Sequence, residues 1–499
     1  MFKSVQWVIT LLLTTFFSWY CHGQTHTFIE QQLFSPQEIT LYAPDHVVQF
    51  YRQRDFKEAW IKKRRLNPDA KKLISELQSA DLEGLNPMDY HLEAISAIQS
   101  MPGKSRRSLP NLAQLDILLT DAYHTYDKHL FLGKVSPYDV NQYWYVPCRE
   151  PETNIPDQLT QALLEDEVPE SLIQLKPSHP GYQRLKQALA QYRIRYDRGK
   201  EIAPIQNTDG TIDMRVVQKK LIQLGDLDSK DWDQLTEAII RFKKRHGLAG
   251  DSNIDSATIS WMNVSLETHI QTIAANLERW RWLPEIAGPR YVMVNIADFN
   301  LQIMEDENVI FGRPIIIGTP FHATPAMAAE MTKIVLNPYW VLPSSVVKEV
   351  LLKDDPVSYL KSNHIQVLDY QERKIPYHEI DWKHQKSASF PYMLRQLPGP
   401  FNALGEVKFV LPNPYAIYIH DTPRKELFEQ SDRTFSHGCI RVKDPFDLAA
   451  VLLEDNPQWD QLKLKQVASE NDLPTEIDLS PKIPVYILYW TTWVDMDQV

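Results

Sequence analysis

The sequence predicts a multidomain α+β protein: a helical N-terminal region, a small three-helix unit, and a β-rich C-terminal domain with a capping insertion. Three observations predict it. At 499 residues the chain exceeds what one hydrophobic core organises. Apolar residues recur at intervals of three and four through the first half and alternate through much of the second. Pro (34) outnumbers Gly (16), which implies many stiff connections between elements. With 43% hydrophobic and 11% aromatic residues the composition is that of a folded chain. The 53 basic and 64 acidic residues leave a formal charge of −11 and no electrostatic reason to bind an anionic polymer or bilayer, so nucleic acid is not an expected partner.

The elements follow in order. Met1-Phe2-Lys3-Ser4, the apolar run Val5 to Tyr20 and then Cys21-His22-Gly23 read as a signal peptide over residues 1–23, cut after Gly23. An uncleaved anchor is the alternative and would supply the one expected membrane contact. A lipid on Cys21 is disfavoured by bulky Trp19 and Tyr20. Either way the expected location is outside the cytoplasm, in the periplasm or cell envelope. The mature chain keeps Cys148 and Cys439, which could pair in an oxidising compartment. Cys148, within Trp144-Tyr145-Val146-Pro147, reads as a buried apolar thiol.

Residues 28–200 read as a helical scaffold, with apolar spacing over Val47 to Lys62, Asp69 to Ser79, Leu112 to Leu132 and Gly181 to Tyr196. A polar stretch from Glu201 leads to a unit over 211–266. Its helices are expected at Met214 to Leu224, at Gln234 to Gly247 with a Gly ending, and from near Asp255. The C-terminal domain, 290–499, alternates over Tyr291 to Met304, Val309 to Gly318 and Thr332 to Leu342. A helix, Val346 to Leu352, is expected behind a Ser cap at Ser344-Ser345. Residues 353–395 are polar and poorly periodic and read as an insertion or flap, which the resemblance given below makes a capping insertion. Strands resume at Val407 to Leu411 and Ala416 to His420, then a helix from Pro445 to Leu453 and a last strand, Val485 to Trp493.

The chemistry concentrates at Ser436-His437-Gly438-Cys439-Ile440-Arg441-Val442. Gly438 leaves the backbone beside Cys439 open to a substrate carbonyl. A thiol needs a base or a positive neighbour to become a nucleophile; His437 lies two residues earlier, and His420 ends the preceding strand. A carbonyl near Asp421 could orient the base, and Arg441 adds fixed positive charge. Two His and one Cys could bind zinc, but Asp421 is the one candidate for a fourth ligand; no metal and no cofactor are expected. A papain-like peptidase would place Cys before His, the reverse of this order. A wall-binding protein with a dead catalytic domain is a further alternative, which intact His420, His437 and Cys439 oppose.

The motifs as a set resemble a known family. Val217-Gln218-Lys219-Lys220-Leu221, Ala238-Ile239-Ile240-Arg241-Phe242 and His246-Gly247-Leu248 resemble a small peptidoglycan-binding module. Pro398-Gly399-Pro400-Phe401-Asn402-Ala403-Leu404-Gly405, Lys408-Phe409, Pro412-Asn413-Pro414, Tyr418-Ile419-His420-Asp421-Thr422-Pro423 and the Cys439 segment resemble the YkuD-type L,D-transpeptidase catalytic domain. Asn276 to Pro284, Gly84-Leu85-Asn86-Pro87 and Tyr486 to Thr491 extend the likeness to the large YcbB-like members, which continue past the stretch matching Trp493-Val494-Asp495.

The resemblance implies that Cys439 attacks the carbonyl of the third residue of a peptidoglycan tetrapeptide stem, releases D-Ala and passes the acyl group to an amine, in cell-wall biogenesis that shapes the cell. It further implies a 3→3 crosslink, with carboxypeptidase action or D-amino-acid exchange as the alternatives, and acylation by carbapenems. His420 is then the expected base and His437 a helper, an order that could be reversed, with the Gly438 and Cys439 N–H groups as oxyanion donors. Ser436 and Tyr418 would shape the site. Arg441 would hold a stem carboxylate or pair with Asp444. Asn402 and Gly405 would contact substrate, and Trp340 would belong to the cap over the cleft. Implied partners are stem peptides, glycan and cell-wall synthesis proteins.

Overall fold

The computed structural model describes residues 25–495 apart from 36–38, 151–154, 200–201, 209, 229–231, 287, 387–388 and 471; the signal-peptide reading lies outside them. Helical and alternating periodicity segregate into two units. The first takes the described stretches up to Val140, with 148–285 and 492–494; the second takes 141–147, 286–491 and 495.

In the first unit the helix Leu109–Leu132 is buried on most of its surface. Burying its polar residues costs little where backbone donors meet them. Asp116 accepts from the Tyr51 hydroxyl (2.6 Å) and from the N–H groups of Ala59 and Trp60 (2.9 Å each), and Asp121 accepts from those of Tyr42 and Ala43. These bonds explain one departure from the sequence reading. The helix expected to reach Lys62 ends at Gln53, because Ala59 and Trp60 donate to Asp116 rather than to a helical ladder, and Ile61–Lys62 pairs with Arg65–Leu66 in a hairpin. Further along, the helices Met214–Leu224, Leu235–Arg245 and Ser256–Met262 surround Val217, Leu221, Phe242 and Met262. Asp213 and Asp255 cap two of them, and Gly225 ends the first in the left-handed region. Cys148, expected as a buried thiol, is half-buried beside the Tyr138 hydroxyl.

The second unit is built on one sheet. Its strands are β1 (Trp144–Tyr145), β2 (Arg290–Asn295), β3 (Asn300–Glu305), β4 (Asn308–Gly318) and β5 (Ala326–Leu336). A smaller sheet holds β6 (Trp340–Val341), β7 (Ile365–Leu368) and β8 (Met393–Gln396). The main sheet continues with β9 (Val407–Val410), β10 (Ile419–His420), β11 (Thr434–Ser436), β12 (Ile440–Val442) and β13 (Thr475–Leu488). Its order is β9-β10-β12-β4-β3-β2-β13-β5-β1, and β9 also pairs with β5, so the sheet closes on itself and removes most of its open edges. Inside lie Val292, Val294, Leu301, Ile303, Phe409, Ile419 and Ile440.

The alternation marked strands correctly but not their ends. The run Tyr291 to Met304 is two strands, turned at Phe299 with φ +52°. β5 begins earlier than expected and stops at Leu336, where buried Asn337 (φ +50°) donates its N–H to Glu406 and its side chain to Ala468. β13 starts at Thr475 rather than Val485. The poorly periodic stretch 353–395, read as an insertion, belongs to a folded piece from Trp340 to Gln396, with its own core of Leu342, Val346, Val350, Leu360, Val367 and Leu394. Its helix Ser344–Leu351 has Pro343 at the N-cap without a side-chain cap bond, correcting the expected Ser cap.

Candidate active site

β9, β10 and β12 lie side by side, and their registers decide which side chains share a face. Lys408 stands opposite His420, and His420 opposite Arg441; Phe409, Ile419 and Ile440 interleave with them and fill the core. Side chains alternate along a strand. Lys408, Tyr418, His420, Cys439 and Arg441 therefore share the other face, which is why residues spread over 408–441 form one site.

The turn carrying Cys439 is held by three bonds. Ser436 Oγ accepts from the Gly438 N–H (3.1 Å) and donates to the Cys439 carbonyl (2.5 Å). Thr324 Oγ1, which accepts from the Gly318 N–H (2.9 Å), donates to the Gly438 carbonyl (2.8 Å). Gly438 has φ +110°, a region that favours glycine. At Gly318 an added Cβ would lie 2.0 Å from the His322 carbonyl, so this close approach also requires glycine.

Cys439 Sγ is half-buried, 3.5 Å from the Ala416 carbonyl. Burial pushes the thiol up; against it work the Tyr418 N–H, the Tyr418 hydroxyl, then Lys408 and Arg441. Trp340 in turn donates to the Tyr418 hydroxyl, whose own ionisation burial and Cys439 suppress. Lys408 Nζ sits 4.2 Å from the centre of the Tyr418 ring. Burial pulls this ammonium down and Cys439 raises it.

His420 is buried, and its Nδ1 lies 2.5 Å from the Asp421 carbonyl. Burial lowers it to about 3, followed by Arg441; the Asp421 carbonyl resists, Lys408 adds to the lowering, and the Leu404 carbonyl resists. The ring is thus neutral above acid pH, with Nδ1–H the donor to Asp421 and Nε2 able to take a proton. His437 is different. Its side chain is 45% exposed, Nε2 is 3.4 Å from Glu349, and its ring centre lies 4.8 Å from that of His322.

Several expectations change. Asn402 is buried: it donates to the Pro338 and Leu397 carbonyls (2.9 Å each) and accepts from the Leu404 N–H (2.8 Å). Gly405, at φ +61°, leaves room where a Cβ would strike the Asp421 side chain. Arg441 does not pair with Asp444, which faces Arg313 (3.5 Å), and its Nε has no hydrogen-bond partner among the described residues. The Gly438 N–H, expected as an oxyanion donor, is already bound to Ser436; among the described residues the Cys439 N–H has no partner. Cys148 and Cys439 are both free thiols. Among the described residues no three or more His, Cys, Asp or Glu side chains converge as metal ligands.

Lys408, Thr324 and Tyr145 were not singled out as functional from sequence. Tyr145 stacks on Tyr415 at 3.9 Å, next to Ala416, because β1 pairs with β5. A Lys in an alternating strand directly opposite a candidate base was the available signal for Lys408. Thr324 lies in a loop and offered none.

Residues 289–465 match the family of L,D-transpeptidase catalytic domains called YkuD, and residues 45–189 match a family described as a scaffold domain. A Haemophilus influenzae protein provisionally named an L,D-transpeptidase is 33% identical over 256 residues, 50% of this chain and 51% of that one. The chain thus spans about half the length of this curated relative. Among solved structures, an L,D-transpeptidase from Mycobacterium smegmatis aligns at 14% identity over 40% of this chain and 58% of its own, with a TM-score of 0.20. One from Stackebrandtia nassauensis aligns at 12% over 55% and 88%, with a TM-score of 0.21.

Proposed function

Because residues 289–465 carry a YkuD-family L,D-transpeptidase catalytic domain, we propose that the whole chain is an exported cysteine acyltransferase acting on peptidoglycan stems. Cys439 attacks the carbonyl of the third stem residue as thiolate; its sulfur forms the new C–S bond, the amide C–N bond breaks, and the D-Ala nitrogen takes up from solvent the proton that the thiol had released. The side-chain amine of a second stem then attacks the thioester, and Cys439 returns as thiolate. His420 takes the amine proton through Nε2, which its neutral state permits. The product is a 3→3 crosslink. The observation that carries this reading is the neutral, buried His420 on the same sheet face as Cys439, whose own N–H has no partner among the described residues and suits the oxyanion.

Trp340 and the folded insertion support a cap over that face, since Trp340 reaches Tyr418 and Glu349 reaches His437. Excluding water there favours an amine over hydrolysis. Helices 214–262 suit a glycan-binding role. Export to the periplasm or envelope follows from the substrate and from the N-terminal segment.

Incubation with a purified disaccharide tetrapeptide tests the proposal: mass spectrometry should find D-Ala released, a thioester on Cys439 and crosslinked dimers. Tripeptide alone would make the chain a carboxypeptidase; unchanged tetrapeptide with no adduct would refute the reading. Cys439→Ala should carry no adduct with a carbapenem.

A further inference from the structure

The identity of the positive charge beside the nucleophile is not settled by the presence of two histidines. His420 is enclosed between Lys408 on β9 and Arg441 on β12, each directly opposite it in the strand registers. Two cations flanking a buried imidazole oppose its protonation, so it cannot act as the counter-ion of a resting thiolate. His437 spends its contacts on Glu349 and His322. Meanwhile neither Lys408 nor Arg441 has a carboxylate within ion-pair distance among the described residues, although both are half-buried. A half-buried cation without an acid needs another anion nearby.

We propose that Lys408 is a charge-positioning residue that stabilises the Cys439 thiolate in the free enzyme, leaving His420 neutral and available as base for the acceptor amine. The geometry is a relay from β9 to the residues just before β10 and β12. Lys408 Nζ packs on the face of the Tyr418 ring at 4.2 Å, and the Tyr418 N–H and hydroxyl are both turned to Cys439. Lys408 thus keeps Tyr418 in place and puts its charge on the same face as the sulfur. On ionisation the thiol proton goes to solvent; nothing is oxidised.

The other charged or titratable groups around the thiol fit this assignment. They are Tyr418 just before β10, His420 on β10, Arg441 on β12, Arg424 beside Arg441, His437 in the turn, and His322 and Glu349 against His437. Asp421 is engaged by Lys425 and by the Glu406 N–H, so it does not neutralise Lys408. Arg441 shares the task, but Arg424 repels it.

The proposal rests on Cys439 being the nucleophile, and its test needs no stem peptide. The rate of Cys439 alkylation by iodoacetamide is followed against pH in the full chain, with peptide mapping to separate Cys148. K408M should move the midpoint up by about one pH unit and slow alkylation roughly tenfold below it. K408R should restore the wild-type profile. His420→Gln should leave the midpoint in place while abolishing turnover of tetrapeptide. An unmoved midpoint in K408M, or a rise of a full unit in His420→Gln with Lys408 intact, overturns the assignment. If K408M does not fold, K408Q carries the same comparison. Wild-type protein that alkylates as expected but forms no thioester with tetrapeptide would instead sink the transpeptidase reading and leave Lys408 standing.

Discussion

Thr324 is a buried residue that ties the nucleophile turn to the neighbouring loop, and replacing it with Val isolates one hydroxyl. Oγ1 accepts from the Gly318 N–H and donates to the Gly438 carbonyl, both at less than 3 Å, and the side chain is buried. Val keeps the shape and leaves two buried backbone groups without partners. Each costs about 1–3 kcal/mol, so the local penalty is about 2–6 kcal/mol. At the lower figure the equilibrium for local opening rises about 30-fold, a decade per 1.36 kcal/mol. Hydrogen exchange resolved by mass spectrometry on peptides containing Gly318 and Gly438 measures that opening. Thr324→Val should speed exchange there by at least this factor and slow carbapenem acylation of Cys439, because the Gly438 carbonyl sets the direction of the Cys439 N–H. Thr324→Ser retains the hydroxyl and should restore both. Exchange within twofold of wild type in Thr324→Val would refute the reasoning.

Further outcomes follow from other residues. Asn402→Ala breaks three buried hydrogen bonds; stability should fall by about 2–4 kcal/mol in thermal unfolding while KM for tetrapeptide stays within twofold. A raised KM at unchanged stability would return Asn402 to the substrate. His420→Ala should lower the rate of tetrapeptide turnover at least about 100-fold, as expected for a general base, and His437→Ala less than about tenfold; stopped-flow rates decide, and equal losses would reverse the roles.

His124, buried with neither ring nitrogen hydrogen-bonded among the described residues, is lowered to about 3 by burial first and by His46 second, against Asp121. A base held below its unfolded value of about 6.5 binds fewer protons when folded, so its contribution is complete above pH 6.5 and is lost as pH falls toward 3. Between pH 7 and pH 5 this amounts to about 2 kcal/mol. His124→Phe should shrink the acid sensitivity of the first unit by that amount in urea titrations at the two pH values, and an unchanged difference would exclude His124 as its source.

Much of the site was legible because its residues are close in sequence or fall at strand positions with a definite period. Cys439, Gly438, Ser436 and His437 lie in one turn, and His420 ends a strand whose apolar partners showed its face. Strand ends were not legible. Phe299, Asn337 and Ala416 adopt positive φ, and what tolerates them is bonding to distant residues, such as Asn337 to Glu406 and Ala468. The insertion read as irregular because its core draws single apolar residues from short pieces, Leu360 here and Leu394 there, so no one window shows a period.

By itself the sequence determined that helices precede a β-rich domain, and that Cys439 has a glycine before it and two imidazoles upstream. Those properties are local: a 3.6- or 2-residue period and a short motif need no partner to be read. Only the tertiary structure decided which imidazole is buried and neutral, that the Cys439 N–H has no partner among the described residues, and that Lys408 and Arg441 stand on either side of His420. The reason is register. A shift of one residue between β9, β10 and β12 would leave every strand as apolar as before and turn Lys408 and Arg441 away from the site.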